Sequence, residues 1–270
     1  MDKSKQGQDQ PVFLSLPDAI MPPGAYPFFT TRRGGGSLGV YESLNLGLHV
    51  GDNGDLVAHN RERVKHLLRP KARCLCLVNQ VHGIKTVIAD PGNFPSDADA
   101  LVTQETGVAV AVMTADCAPV LIYDPVQRIV GVAHAGWRGA LNGIVESCID
   151  LMETLGGDAR RMSAIVGPTI RPPNYEVDEQ FFLTFKQHPY HDSKLIVERF
   201  FLSLAIRGRF QFNLTNYIIE RLHERGIPQE GIKDVGLCTF QNEDLFFSYR
   251  RSTGRGEKSC GRQMGGIILV

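Results

Sequence analysis

Val108-Ala109-Val110-Ala111-Val112-Met113, Val120-Leu121-Ile122-Tyr123 and Ile129-Val130-Gly131-Val132-Ala133 are three short apolar runs that lead into a second pattern, Leu141, Ile144, Val145, Cys148, Ile149 and Met152. The runs are rich in β-branched residues and bounded by Gly, Pro and Asp, as buried strands are. The second pattern falls at offsets 0, 3, 4, 7, 8 and 11, one apolar stripe of a helix, and Gly156-Gly157 stops it. Working outward, further strands are expected over Leu75–Val81, Thr86–Ala89, Ala164–Val166, Val235–Thr239, Leu245–Tyr249 and Gly266–Val270. Helices are expected from Asp52, with Leu56, Val64, Leu67 and Leu68 on one face and Pro70 at its end, and from about Asn213, with Leu214, Tyr217, Ile218 and Leu222 together. Strands neither alternate strictly with helices nor segregate from them. The sequence therefore predicts an α+β fold of mixed β-sheets covered by helices.

The chain has 270 residues, 43% hydrophobic and 21% charged, a mixture that folds and is far from the composition of disorder. Lys and Arg number 29 and Asp and Glu 29, so no long-range field recruits nucleic acid or an anionic membrane, and neither is expected as a partner. Met1–Gln10 is polar, without the apolar run of a secretory signal, and no apolar stretch approaches the length of a membrane span. A cytoplasmic protein is expected. Six cysteines without a Cys-x-x-Cys pair suit reduced thiols. No heptad seam demands association, so a monomer is the default.

Three residues share one kind of place. His82 follows the run ending at Val81 and precedes Gly83, Cys117 follows the run ending at Met113, and His134 follows Ala133 and precedes Gly136. Side chains at strand ends that open into Gly or Pro turns converge on clefts. Two imidazoles and a thiolate make a good zinc set, and three protein ligands leave the fourth position to water or substrate. Taken singly, each has a plainer reading: such a cysteine is usually a small buried hydrophobe, and such a histidine a turn residue. The spacings of 35 and 17 residues match no compact zinc motif. After His134, Ala135-Gly136-Trp137-Arg138-Gly139 opens the strongest helix, whose free N–H groups and Arg138 make an anion pocket beside a candidate ligand. Arg32 and Arg33, before Gly34-Gly35-Gly36, offer a second basic wall suited to phosphate. An ordinary helix start and a solvated surface pair are the alternatives.

Read in order, Thr31-Arg32-Arg33-Gly34-Gly35, Ser43-Leu44-Asn45-Leu46-Gly47, Asn79-Gln80-Val81-His82-Gly83, Ala98-Asp99-Ala100-Leu101-Val102-Thr103, Thr114-Ala115-Asp116-Cys117-Ala118-Pro119-Val120-Leu121, His134-Ala135-Gly136-Trp137-Arg138-Gly139 and Gly167-Pro168 to Tyr175-Glu176-Val177 resemble the YfiH-like family. That family is also called the laccase-domain or multicopper polyphenol oxidase family, the peptidoglycan editing factors, and the purine nucleoside phosphorylases of that type. The resemblance implies α/β/β/α layers in one catalytic domain over residues 28–270, behind a polar and Pro-rich segment, 1–27. It implies a zinc ion (Zn2+) on His82, Cys117 and His134. It also implies phosphorolysis of adenosine, inosine and S-methyl-5′-thioadenosine, with adenosine deamination as a further activity. Within it, Arg32 and Arg138 are expected to bind phosphate as it attacks the anomeric carbon, Asp116 to orient a ligand or relay a proton, and Asn45 to hydrogen-bond sugar or base. For deamination, water activated by the metal attacks C6 of the purine. Gly36 and Asn174 depart from the family's usual small aliphatic residue and cysteine.

Other chemistries use the same residues. Cys117 as thiolate with His134 as base makes a Cys/His amidase, the reaction that peptidoglycan editing needs. A copper oxidase is disfavoured, because the eight histidines contain no His-x-His pair for a copper cluster. A zinc-stabilised binding module needs a fourth protein ligand, for which His49 is the candidate.

Overall fold

In the computed structural model, which describes residues 13–20, 22–92, 96–189 and 197–270, the apolar runs form two stacked sheets. The first has four strands, in the order β1 (Ala25–Phe29), β13 (Gln263–Leu269), β5 (Val108–Thr114) and β2 (Cys74–Cys76). The second has six, in the order β12 (Ile232–Asp234), β8 (Ser163–Val166), β6 (Ala118–Asp124), β7 (Ile129–Ala135), β4 (Ala100–Thr103) and β3 (Thr86–Ile88). Both are antiparallel at their centres and parallel toward the edges, at β2, β3 and β12.

Strand alternation assigns the faces. Val108, Val110 and Val112 of β5 and Ile267 and Leu269 of β13 meet Leu101, Leu121, Val130, Val132 and Ile165 in a buried layer between the sheets. The intervening Ala109, Ala111 and Met113 turn onto Val64 and Leu68 of α1 (Gly54–Leu68). On the far side of the six-stranded sheet, Val102, Val120 and Ile122 pack against α3 (Ile144–Thr154) and α5 (Leu214–Glu224). Helix, sheet, sheet and helix thus stack as four layers, as expected. Both faces of each central strand are covered, which is why these strands read as continuous apolar runs and not as alternating ones.

Local expectations are corrected where a glycine or a side chain takes over a backbone role. The helix expected after Trp137 is two helices, α2 (Trp137–Asn142) and α3, because Gly143 stands at φ 103° and its N–H closes the first on the Gly139 carbonyl at 3.0 Å. The buried face of α1 is Val57, Asn60, Val64 and Leu68; Leu56 and Leu67 are only half-buried. The strand expected over Leu75–Val81 stops at Cys76. Beyond it the Gln80 side chain replaces the ladder, donating to the Met113 carbonyl and accepting from the Met113 N–H, both at 2.8 Å. Leu245–Tyr249 is likewise no strand, since Gln263 brackets the Phe247 backbone in the same way, at 2.8 and 3.1 Å. Ser248 then caps α6 (Tyr249–Gly254). Of the strand expected over Val235–Thr239 there remains only a bridge from Cys238 to Thr169, the strand itself lying earlier as β12.

A third sheet, β10 (Phe201–Ser203), β11 (Arg209–Phe212) and β9 (Glu176–Asp178), lies in a region to which the sequence reading assigns no element. With α4 (Glu179–Lys186) it holds an aromatic cluster in which Phe181 touches Trp137, Tyr175, Phe185 and Phe212 at ring distances of 4.8 to 6.1 Å. At the other end of the chain β1 begins at Ala25, and Leu14, Leu16 and Ile20 pack on the layer between the sheets, so part of the Pro-rich segment is joined to the fold. Among the described residues no helix is long and apolar enough to cross a membrane.

Candidate metal centre

Strand register builds the centre. β6 pairs with β7 so that Ala118 lies opposite Ala135, which leaves Cys117, one residue earlier, at the end of the hairpin beside His134. β4 pairs with β7 so that Ala100 lies opposite Ala133, which brings Asp99 to the same end; the His134 N–H donates to its carbonyl at 2.7 Å. His82 arrives on the loop before β3 in a left-handed conformation, φ 58°. The ligand atoms of His82, Cys117 and His134 all lie within 4.8 Å of one another, and Cys117 Sγ is 3.9 Å from His82 Nε2. Two imidazoles and a thiolate this close together are a donor set that could hold a metal ion.

Asp99 organises this arrangement and is wholly buried. Its carboxylate accepts from Nδ1 of His134 at 2.8 Å and from the N–H groups of Val81, His82 and Gly83 at 3.2, 3.0 and 2.7 Å. One side chain therefore fixes the His134 tautomer, presenting Nε2 to the cluster, and anchors the loop that carries His82. Burial pushes the Asp99 carboxyl up, but the bonds from His134 and the backbone outweigh it and hold it below the usual range. Burial likewise opposes charge on Cys117 and His134. The imidazolium lowers the thiol, with hydrogen bonds from both imidazoles, and the thiolate raises His134, helped by Asp99. Gly136 leaves the room: a Cβ there would stand 2.9 Å from Cys117 Sγ and 3.3 Å from His82 Cδ2.

The other expected site residues are placed differently. Asp116, at φ 89°, lines the space beside Cys117, and its carboxylate accepts from Thr239 Oγ1 at 2.6 Å, Ser248 Oγ at 3.0 Å and the Arg250 N–H at 2.7 Å. The carboxylate behind His134 is Asp99, not Asp116. Asn45 is fully buried; its amide is spent on Gly47, Asp52 and the Arg262 N–H, so it has no bond to offer a substrate. Arg32 donates to the carbonyls of Glu42 and Glu243 and lies over the Phe247 ring, apart from the residues that line the space at Cys117. Arg138 does line that space, stacked 4.4 Å above Trp137.

Two cavities adjoin the cluster. One, of about 300 Å3, is walled by Trp137, Arg138, Ile170, Tyr175, Leu214 and Arg250. The other, of about 350 Å3, is walled by His49, Gln80, Met113, Thr114, His134 and Arg262. His82, Ala115, Cys117 and Tyr249 line both. Asp99, Tyr175, Tyr249, Arg250 and Arg262 are site residues that sequence reasoning did not assign. Asp99 and Tyr175 do fall in strings shared with the family, and that is the available signal.

Against known proteins, residues 27–270 match the family described as multi-copper polyphenol oxidoreductase laccase. A protein of Streptomyces coelicolor named purine nucleoside phosphorylase is 42% identical over 249 residues, covering 91% of this chain and 96% of that one. Another so named, from Pseudomonas aeruginosa, is 35% identical over 240 residues, covering 89% and 93%. The crystal structure of YlmD from Geobacillus stearothermophilus superposes with a TM-score of 0.83 at 31% identity, over 96% of this chain and 99% of that one. With the layered fold and the His-Cys-His cluster in place, the match over nearly the whole chain settles its kinship: it belongs to the multi-copper polyphenol oxidoreductase laccase family, in its YfiH-like form.

Proposed function

We propose that the protein is a zinc-dependent purine nucleoside phosphorylase acting on adenosine, inosine and S-methyl-5′-thioadenosine, with adenosine deaminase activity at the same centre. Residues 28–270 would be its single catalytic domain, working in the reducing cytoplasm where the thiol ligand stays free. The observation that carries this reading is the meeting of His82, Cys117 and His134 with a cleft walled by Trp137, Tyr175 and Arg138. The names of the relatives support the substrate class. The donor set favours zinc: two imidazoles and one thiolate with a carboxylate behind one imidazole. Among the described residues it is the one group of its kind, which leaves nothing for a multi-copper cluster.

When bound, the metal supplies Lewis-acid stabilisation of developing negative charge. The protein supplies the rest. Trp137 and Tyr175 give the purine an aromatic wall, Arg138 adds fixed positive charge, and Asp99 keeps His134 in one tautomer throughout. An oxygen of hydrogen phosphate bonds to C1′ as the C1′–N9 bond breaks. The electron pair of that bond goes to the purine, and the proton that hydrogen phosphate gives up ends there too.

Adenosine incubated with the zinc-loaded protein, with and without phosphate, tests this when adenine, inosine and hypoxanthine are separated. Adenine that requires phosphate is expected, with inosine forming in both tubes; no product in either ends the proposal. A second reading, an amidase editing peptidoglycan precursors, has the series Cys117, His134, Asp99 in its favour. Activity that survives chelation and is blocked by an electrophile on Cys117 is its signature.

A further inference from the structure

The two cavities differ in chemistry. On the Trp137 side the rings dominate, and both arginines are laid on them: Arg138 on Trp137, and Arg250 at 5.2 Å over Tyr175 with its Nη1 spent on the Glu176 carbonyl at 2.7 Å. The other side carries one arginine, Arg262, with His49, Gln80 and Thr114. Arg262 is fixed there by Nη1 on the carbonyls of Cys260 and Gly261, at 2.8 and 3.1 Å. Its stem runs so close to Gly47 that a Cβ on Gly47 would stand 2.8 Å from its Cγ. Asn45 Oδ1 binds the N–H groups of both Gly47 and Arg262 at 2.9 Å, and Arg61 Nε binds the Leu46 carbonyl. The segment from Asn45 to His49 is thus a mount for one guanidinium and one imidazole. Burial first, and then the neighbouring charges of Arg262 and Arg61, lower the pKa of His49.

We propose that the His49–Arg262 cavity is the oxyanion site, holding inorganic phosphate, while the Trp137 cavity holds the nucleoside and the anomeric carbon lies at the junction beside Cys117 and Tyr249. This rests on the phosphorylase reading. Displacement at C1′ brings an anionic nucleophile and an apolar base to one carbon, and two cavities that share His82, Cys117 and Tyr249, one bearing Arg262 and His49 and the other Trp137 and Tyr175, offer a separate wall to each. The phosphate oxygen–C1′ bond forms from one chamber as the C1′–N9 bond breaks toward the other. The electron pair and the phosphate's proton pass to the purine. Asn45 then acts on phosphate indirectly, as a positioning residue for Arg262.

Initial rates of the zinc-loaded enzyme, with adenosine and phosphate varied independently, test the division. Arg262→Met and the exposed His49→Gln are expected to raise the KM for phosphate about ten-fold or more and to leave that for adenosine within about two-fold, while Trp137→Leu does the reverse. A phosphate KM that follows Arg138→Met and ignores Arg262→Met and His49→Gln overturns the division and leaves the phosphorylase reading standing. Equilibrium dialysis of inorganic phosphate against the full chain adds a readout without turnover. Binding that is lost in Arg262→Met, with its melting curve retained, supports the site even if no substrate reacts. No binding, or binding indifferent to both Arg262→Met and His49→Gln, removes it.

Discussion

Asp99 and Asp116 are buried carboxylates, 0% and 9% exposed, one on each side of the Cys117 turn. Asp99 accepts three backbone N–H groups and an imidazole, all from elements that carry or adjoin the candidate metal ligands. Asp116 accepts one N–H and two hydroxyls, from the stretch between Thr239 and Arg250 that carries Tyr249 over the cleft. The residue next to Cys117 in sequence therefore builds the wall of the site, and the residue 18 positions away builds its centre. Chain proximity and chemical proximity part company because β4, β7 and β6 lie side by side.

That division can be broken experimentally. Cys117→Ala should have the largest effect, abolishing both stoichiometric zinc after gel filtration and phosphorolysis; a variant that keeps full activity without metal removes zinc from the mechanism. Asp99→Asn comes next, with zinc affinity down about 10–100-fold by competition with a chromophoric chelator, the usual cost of losing an outer-shell partner. Gly136→Ala should weaken zinc by a smaller factor through the crowding of Sγ, and should slow alkylation of Cys117 in chelator-treated protein. Asp116→Asn should leave zinc affinity within about two-fold while costing about 1–3 kcal/mol of stability and raising the KM for adenosine. If it loses zinc as Asp99→Asn does, the two carboxylates are not divided as described.

The smallest effect on function should come from Asp124, a third buried carboxylate outside both cavities. It accepts the N–H groups of Val126, Gln127 and Asp158 at 2.8 to 3.0 Å. Burial pushes its carboxyl up, but these bonds, with Arg161, hold it below the usual range. A lowered folded pKa means a contribution present above the unfolded value near 4 and lost as pH falls through the folded one. Asp124→Asn should therefore reduce stability at neutral pH by about 1–3 kcal/mol, flatten its loss in acid denaturation, and leave zinc unchanged. An unchanged acid limb would show that the carboxylate is not the titrating group.

The same contrast explains what was legible in the sequence. The central strands and the stripe from Leu141 to Met152 read correctly because burial on both faces leaves an unmistakable apolar run. The break at Gly143 did not, since a stripe keeps its phase across a one-residue interruption. His82, Cys117 and His134 were visible as strand ends before Gly or Pro turns. Asp99 lies in one of the shared strings, but its role is not legible there, because its bond to His134 follows from the β4–β7 register, which no spacing encodes. Asn45 and Arg32 have the chemistry of substrate contacts, but their polar groups are taken up by backbone and neighbouring side chains.

Gln80 clasps the Met113 backbone and Gln263 the Phe247 backbone, each with both ends of one amide; the loop that bears Gln80 leads to His82, and the segment that Gln263 holds leads to Tyr249. Each of these loops hangs from its sheet by a two-pronged hook and a buried carboxylate, Asp99 for one and Asp116 for the other, instead of a row of rungs. Loops mounted in this way can be lengthened or exchanged around the hook while the sheets stay intact. The scaffold thus lends itself to the gradual retailoring of substrate choice, and to grafting, with the histidine, the cysteine and the hook as the parts to be kept.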